Sequence, residues 1–161
     1  MKNKLYYSVG LLAIGLVFMP AVVMGATATT TINVQANVIA ACSVSASNIN
    51  FRDIPIVEGM INNATGNVSV TCPNSVNYTI DLGEGQNPPG RRMRNASGSG
   101  FIYYELFKDI NHRDVWRDRL QSLPDTGNGS AQSHTVFGRV ISSADSLLDT
   151  YTDVISVTVT Y

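Results

Sequence analysis

Acyl or phosphoryl transfer needs a nucleophile beside a base that a third group orients, and zinc chemistry needs His, Cys or carboxylates at ligand spacing. Neither arrangement assembles from this sequence. Its two histidines, His112 and His134, stand in polar surroundings with no H-E-x-x-H or related spacing, and read as surface or turn residues. Carboxylates are scattered. The densest stretch sets Asp109, Asp114 and Asp118 among Arg113, Arg117 and Arg119 around Trp116. It reads as a solvated hairpin edge, with a protein or surface contact as the alternative. Gly83-Glu84-Gly85-Gln86 has the look of a phosphate loop, but no helix follows to point a dipole at an anion, so it reads as a turn. Arg91, Arg92 and Arg94, after Pro88-Pro89-Gly90, form the strongest local charge cluster. A solvated loop is the first reading, contact with an anionic surface or a neighbouring subunit the second. Asn-x-Ser/Thr tripeptides at Asn63, Asn67, Asn77, Asn95 and Asn128 are glycan acceptors only in a eukaryotic secretory route, and two of them fall in predicted strands. No catalytic residue, metal site, cofactor or small-molecule substrate is expected.

The remaining candidates for covalent chemistry are Cys42 and Cys72, and their meaning depends on compartment. Met1 to Lys4 carries two lysines, Leu5 to Gly25 is almost wholly apolar, and Gly25, Ala26 and Ala28 are small. That order of charge, apolar run and small residues is a secretory signal peptide, residues 1–25, cleaved between 25 and 28. A membrane anchor is the competing reading, opposed by Pro20 and by the lack of a basic stop-transfer cluster. In an exported chain an even cysteine count reads as a disulfide, with two buried free thiols as the alternative. Cleavage after Gly25 leaves 136 of the 161 residues and removes Lys2 and Lys4, so nine basic residues face twelve acidic ones, a net charge of −3. That balance gives no electrostatic footprint for nucleic acid.

Charged residues are only 14% of the chain against 44% apolar, with 13 glycines and seven tyrosines. The mix allows one core in one domain and favours strands and turns over helices. From Ile32 to Val44 every even position is apolar: Ile32, Val34, Ala36, Val38, Ala40, Cys42, Val44. Shorter alternating runs centre on Val70, Ile80, Tyr104 and Gly138, and a last one runs Ile155, Val157, Val159, Tyr161. Period two predicts strands, and no stretch of ten residues or more reads as an amphipathic helix. The expected fold is all-β, a single antiparallel sandwich of about six strands. Cys42 and Cys72 share the apolar parity of their runs, so both sulfurs can enter one core. The first run, at about 3.3 Å per residue, is roughly 40 Å long, twice the usual strand, so half of it must bend or protrude. The last run stops in mid-alternation. A spare apolar arm and a groove that can lack a strand suggest that one subunit's arm fills the next subunit's groove; from periodicity alone the first reading is that residues 29–38 fold back on their own sandwich or turn a corner through a bulge.

Ala40-Ala41-Cys42-Ser43-Val44, the strand from Asn67 to Cys72, Tyr103 to Asp109 followed by Trp116, the strand from Thr135 to Val140 and the terminal Tyr151 to Tyr161, with its Tyr-x-Asp and alternating Val and Thr, together resemble the spore coat protein U domain family. That family includes subunits of archaic, Csu-type chaperone–usher pili. The resemblance implies an incomplete immunoglobulin-like sandwich lacking its last strand and completed by donor-strand complementation. It implies partners: a periplasmic chaperone, an outer-membrane usher and other pilus subunits. Export would run through the periplasm to a surface pilus serving adhesion and biofilm formation. Carried onto this chain, residues 26–39 are a donor-strand extension whose donor side chains are Ile32, Val34, Ala36 and Val38, and residues 40–161 are the sandwich. Ile155, Val157, Val159 and Tyr161 line the acceptor groove and meet the chaperone, and Cys42 and Cys72 are the family disulfide. The competing function is a stand-alone secreted carbohydrate-binding or coat sandwich, with Trp116 a candidate for an exposed aromatic patch.

Overall fold

The computed structural model describes residues 25–161; the expected signal peptide, apart from its last residue, lies outside the described residues. The chain divides into a segment ending at Asn37 and a compact unit, Val38–Tyr161. In the first, residues 25–37 form no strand, and Ile32, Val34 and Ala36 are exposed.

The compact unit holds, in chain order, β1 (Ser43–Ala46), β2 (Ile61–Thr71), β3 (Asn77–Leu82), β4 (Arg92–Asn95), β5 (Phe101–Phe107), β6 (Leu123–Thr126), β7 (Ala131–Ile141), β8 (Tyr151–Thr152) and β9 (Val157–Thr160). A six-stranded sheet runs β1-β2-β7-β5-β4-β8 and a three-stranded sheet runs β6-β3-β9. Every pairing is antiparallel. The only helix among the described residues is a three-residue 3₁₀ turn at Arg119–Gln121.

The described residues form nine strands where about six are expected, and the difference has a local cause. β4, β6 and β8 are two to four residues long, too short for alternation to be read. Pro124 is tolerated because β6 ends its sheet, where a missing N–H breaks no ladder. The long first run contributes only β1.

Alternation builds the core. Val68 and Val70 of β2, Tyr78, Ile80 and Leu82 of β3, Leu106 of β5 and Val136 of β7 turn to one side and are buried, with Cys72 and Trp116 among them. Their polar neighbours face outward, as period two requires. Residues 47–56 cross the inner face of the larger sheet. Ile49 and Phe51 lie on Gly66 and Gly138, where a Cβ would meet Ile49 Cγ1 at 2.5 Å and Phe51 Cζ at 2.8 Å.

Trp116 departs from the sequence expectation. It is fully buried, with Nε1 donating to the Ile80 carbonyl at 2.9 Å and its backbone N–H to Leu106 at 2.9 Å. The mixed-charge stretch around it is therefore a cap over the core, and its indole is closed to any carbohydrate. Asp109 Oδ1 accepts the amides of Arg113 (2.9 Å) and Asp114 (2.7 Å), and these amides, Asp114 first, hold its carboxyl below the usual range. Hydrophobic spacing could not show this, because charged neighbours hide a single inward-facing ring.

The turn after β6 is packed against backbone. Gly127 donates to Val76 O at 2.8 Å, and a Cβ there would sit 2.7 Å from Cys72 Cβ and 2.9 Å from Cys72 O. Cys72 is bridged to Cys42 and its carbonyl accepts the Gly129 amide at 3.0 Å, so this backbone cannot step aside. Gly127→Ala is expected to destabilise the oxidised protein by about 1–3 kcal/mol, read as a lower midpoint in urea; an unchanged midpoint would show that this turn is not constrained.

Candidate functional site

Two strands end their sheets with apolar inward faces only part covered. Among the described residues β1 pairs with β2 alone and β9 with β3 alone, so each leaves a row of backbone N–H and C=O groups without a ladder partner there. In register, Val44 stands opposite Val70, which is completely buried, so both face the core; yet Val44 is 43% exposed. Ile155, Val157 and Val159 pack against the core cluster and remain half-buried, and Tyr161 is 57% exposed. Val38 is 97% exposed. The unsatisfied capacity is thus both apolar and hydrogen-bonding, the combination that an added strand supplies.

The two edges are held in different ways. Cys42, just before β1, is bridged to Cys72, just after β2, with Cα atoms 4.4 Å apart. The bridge fixes one end of a four-residue strand that has little else to hold it. The run into β9 is set by Asp153. Its Oδ2 accepts the Tyr104 hydroxyl at 2.7 Å, and its Oδ1 accepts the Gln86 amide at 2.9 Å and Asn87 Nδ2 at 3.0 Å. Gly83 N–H then reaches Ser156 O at 3.0 Å, after which the β3–β9 ladder begins. The Asp of the terminal Tyr-x-Asp motif therefore clamps the Gly83–Gln86 turn to the start of the last strand. Sequence reading singled out that motif and assigned it no task.

The arginine loop differs from its expected solvated form. Arg91 is buried, not solvated: Nε donates to Gly83 O at 3.0 Å, NH2 to Leu82 O at 2.7 Å and NH1 to Glu105 Oε1 at 2.9 Å. Glu105 also accepts from Arg117, which lies 3.7 Å from Glu84. Burial pulls the Arg91 guanidinium below its usual range and Glu105 opposes that pull, while the hydrogen bond to Glu105 raises Arg117. A buried cation with every nitrogen bonded can persist where an unpaired one cannot. This cluster ties the end of β3 to β5 and so joins the two sheets.

A second polar group crosses the sandwich at the β6 end. The Tyr78 hydroxyl lies 3.1 Å from Asp125 Oδ2 and 3.2 Å from His134 Nε2. Burial, and next the hydrogen bond to Asp125, push the Tyr78 phenol up to about 12. Burial and the Asp153 carboxylate raise Tyr104 also. His112 sits against Phe107 and Phe137 with Nδ1 2.9 Å from Arg139 NH2, so its lone pair accepts from a guanidinium. Both histidines are thus structural. Among the described residues no group of three or more His, Cys, Asp or Glu is placed to hold a metal ion.

Two antiparallel sheets packed on one core, with outer strands β1 and β9 uncovered, define an incomplete immunoglobulin-like sandwich. The chain matches the Spore Coat Protein U domain over residues 28–158 and belongs to that family. It is 32% identical to Protein U of Myxococcus xanthus over 157 residues, covering 84% of this chain and 86% of that one. A chain in the crystal structure of the CsuC–CsuE chaperone–tip adhesion subunit pre-assembly complex, from archaic chaperone–usher Csu pili of Acinetobacter baumannii, is similar with a TM-score of 0.61 at 22% identity. That match covers 77% of this chain and 40% of the other, and the likeness is one of fold.

Two measurements test the polar clamps. Tyr78 ionises near pH 10 unfolded and about pH 12 folded, so its contribution to stability is complete below pH 10 and is lost as pH rises through 12. Absorbance at 295 nm should show tyrosines that ionise only well above pH 10 or on unfolding; a single titration of all of them near 10 in the folded protein would refute the assignment. Asp153→Ala leaves three donors without their acceptor and should cost about 1–3 kcal/mol, with the disulfide still forming.

Proposed function

We propose that this chain is a structural subunit of a bacterial surface fibre, a pilin assembled by a chaperone–usher system through donor-strand exchange. The observation that carries this reading is the half-covered inner face along β1 and β9. It lies at the edges of the two sheets, where backbone and apolar side chains both await a strand. Family membership supports it, as does the likeness of fold to a chain from a chaperone–subunit pre-assembly complex.

In this reading the segment from Thr29 to Val38 is the donor arm. Ile32, Val34, Ala36 and Val38 alternate with Asn33, Gln35 and Asn37, so one side of an extended arm is apolar and enters a neighbour's groove. Burying Ile32, Val34 and Val38 contributes about 1.5–3 kcal/mol each, and the new ladder satisfies an edge that otherwise invites aggregation. Ile155, Val157, Val159 and Tyr161 line the acceptor groove. Before assembly a periplasmic chaperone lends a strand to that edge, and an outer-membrane usher exchanges it for the arm of the next subunit. The product is a fibre on the cell surface that serves adhesion and biofilm formation.

Val34→Asp separates an arm that leaves its own domain from one that completes it. An unpaired carboxylate in the neighbour's groove costs more than the apolar contact it replaces. The variant should be exported, form its disulfide and bind its chaperone, yet give no ladder when surface material is electrophoresed in SDS without boiling. Unchanged ladders, or a subunit that unfolds in its chaperone complex, would overturn the mechanism.

A further inference from the structure

The outward face of β4 and β5 carries two guanidinium groups that the fold immobilises without neutralising. Arg92 pairs in register with Tyr103 and Arg94 with Phe101, while Met93 between them faces the buried Ile102. Directly opposed residues share a face, so both arginines and both aromatic rings point away from the core. Arg92 Cζ lies 4.0 Å above the Phe101 ring, and its Nε donates to Asn87 O at 2.7 Å. Arg94 donates through Nε (3.1 Å) and NH2 (2.9 Å) to Gly98 O. These acceptors are neutral carbonyls. Among the described residues neither guanidinium has a carboxylate within 4.0 Å. The acid that follows on the same face of β5, Glu105, is committed to Arg91 and Arg117. Asp149 reaches the adjoining turn but accepts the Ser97 amide. Tyr103, 59% exposed, lies beside the two cations.

We propose that this face binds acidic polysaccharide, with Arg92 and Arg94 pairing carboxylates of the polymer and Tyr103 stacking on a sugar ring between them. The two arginines stand two residues apart on one strand and so share its outward face, where one extended polyanion can meet both. Holding long side chains in place beforehand removes much of the entropy cost of engaging a polymer. A guanidinium that keeps free N–H groups on a rigid anchor can meet a carboxylate edge-on. The net charge of −3 after signal removal disfavours a more densely charged partner such as nucleic acid. The proposal stands apart from strand exchange, because the face points away from the core and is separated from the β1 edge by β2 and β7.

Affinity electrophoresis of the exported protein through gels containing polygalacturonate tests it, with neutral dextran, a single-stranded oligonucleotide and phosphatidylglycerol vesicles as competing ligands. Retardation is expected with polygalacturonate only, weakening as salt rises. The double variant R94Q/Y103S should lose tenfold or more in apparent affinity. R113Q/R119Q removes two exposed arginines elsewhere and should lose less than threefold. Should the first variant not fold, Tyr103→Ser alone, which removes an exposed ring, should still lose at least threefold. Equal loss in both double variants, equal binding to dextran, or tighter binding to the oligonucleotide or vesicles would overturn the proposal. A fibre that assembles normally from R94Q/Y103S keeps the test independent of the assembly mechanism.

Discussion

Six strands facing three leave apolar surface that the smaller sheet cannot reach, and this inequality governs the rest of the molecule. A sandwich is stable when each inward side chain meets a partner across the core. Here β3, with one neighbour on each side, buries its apolar face with side chains of β2, β5 and β7. Three devices deal with the remainder. Residues 47–56 lie over the glycines of β2 and β7, Trp116 fills the centre from a capped loop, and the Arg91–Glu105–Arg117 group ties the sheets at their rim. None of these reaches Val44 or the outer flank of β9. What remains there is an opening with the chemistry of a missing strand, which is why the functional reading rests on that edge.

The polar networks follow from the same shortage. A thin second sheet cannot bury enough apolar area to hold itself in place, so its strands are pinned by directional bonds. Asp153 gathers three donors at the entry to β9, and Tyr78 joins Asp125 and His134 beside β6. Such groups are expensive to leave unpaired and therefore specify one arrangement rather than adding much net stability. Their positions, one near each outer strand of the smaller sheet, fix where that sheet lies without filling the place beside β9.

How much of this could be read beforehand depends on what each feature writes into the chain. Period-two runs are long-range in consequence but local in signature, so β2, β3, β5, β7 and the last strand were legible from Val68, Ile80, Leu106, Val136 and Val157, and the parity of Cys42 and Cys72 placed both on the inner face. Short strands such as β4 and β8 leave no such trace. Arg91 and Arg92 are neighbours with opposite fates, one buried on Glu105 and one stacked outside on Phe101. Only the pairing of β4 with β5 tells them apart, and no local pattern contains it. The Tyr-x-Asp motif was visible as a shape, whereas its meaning lay 49 residues earlier at Tyr104. Trp116 is hidden for the opposite reason: its charged neighbours are real, but they belong to a loop folded over it.

The disulfide has a mechanical meaning. Tension on the residues before Cys42 reaches the bridge before it reaches β1, and the bridge hands it to the end of β2, an eleven-residue strand with β1 on one side and β7 on the other. Force therefore enters an interior strand of the larger sheet by a covalent route, rather than peeling the four-residue β1 away bond by bond. A domain wired in this way can be pulled by its amino-terminal arm without opening first at its weakest strand.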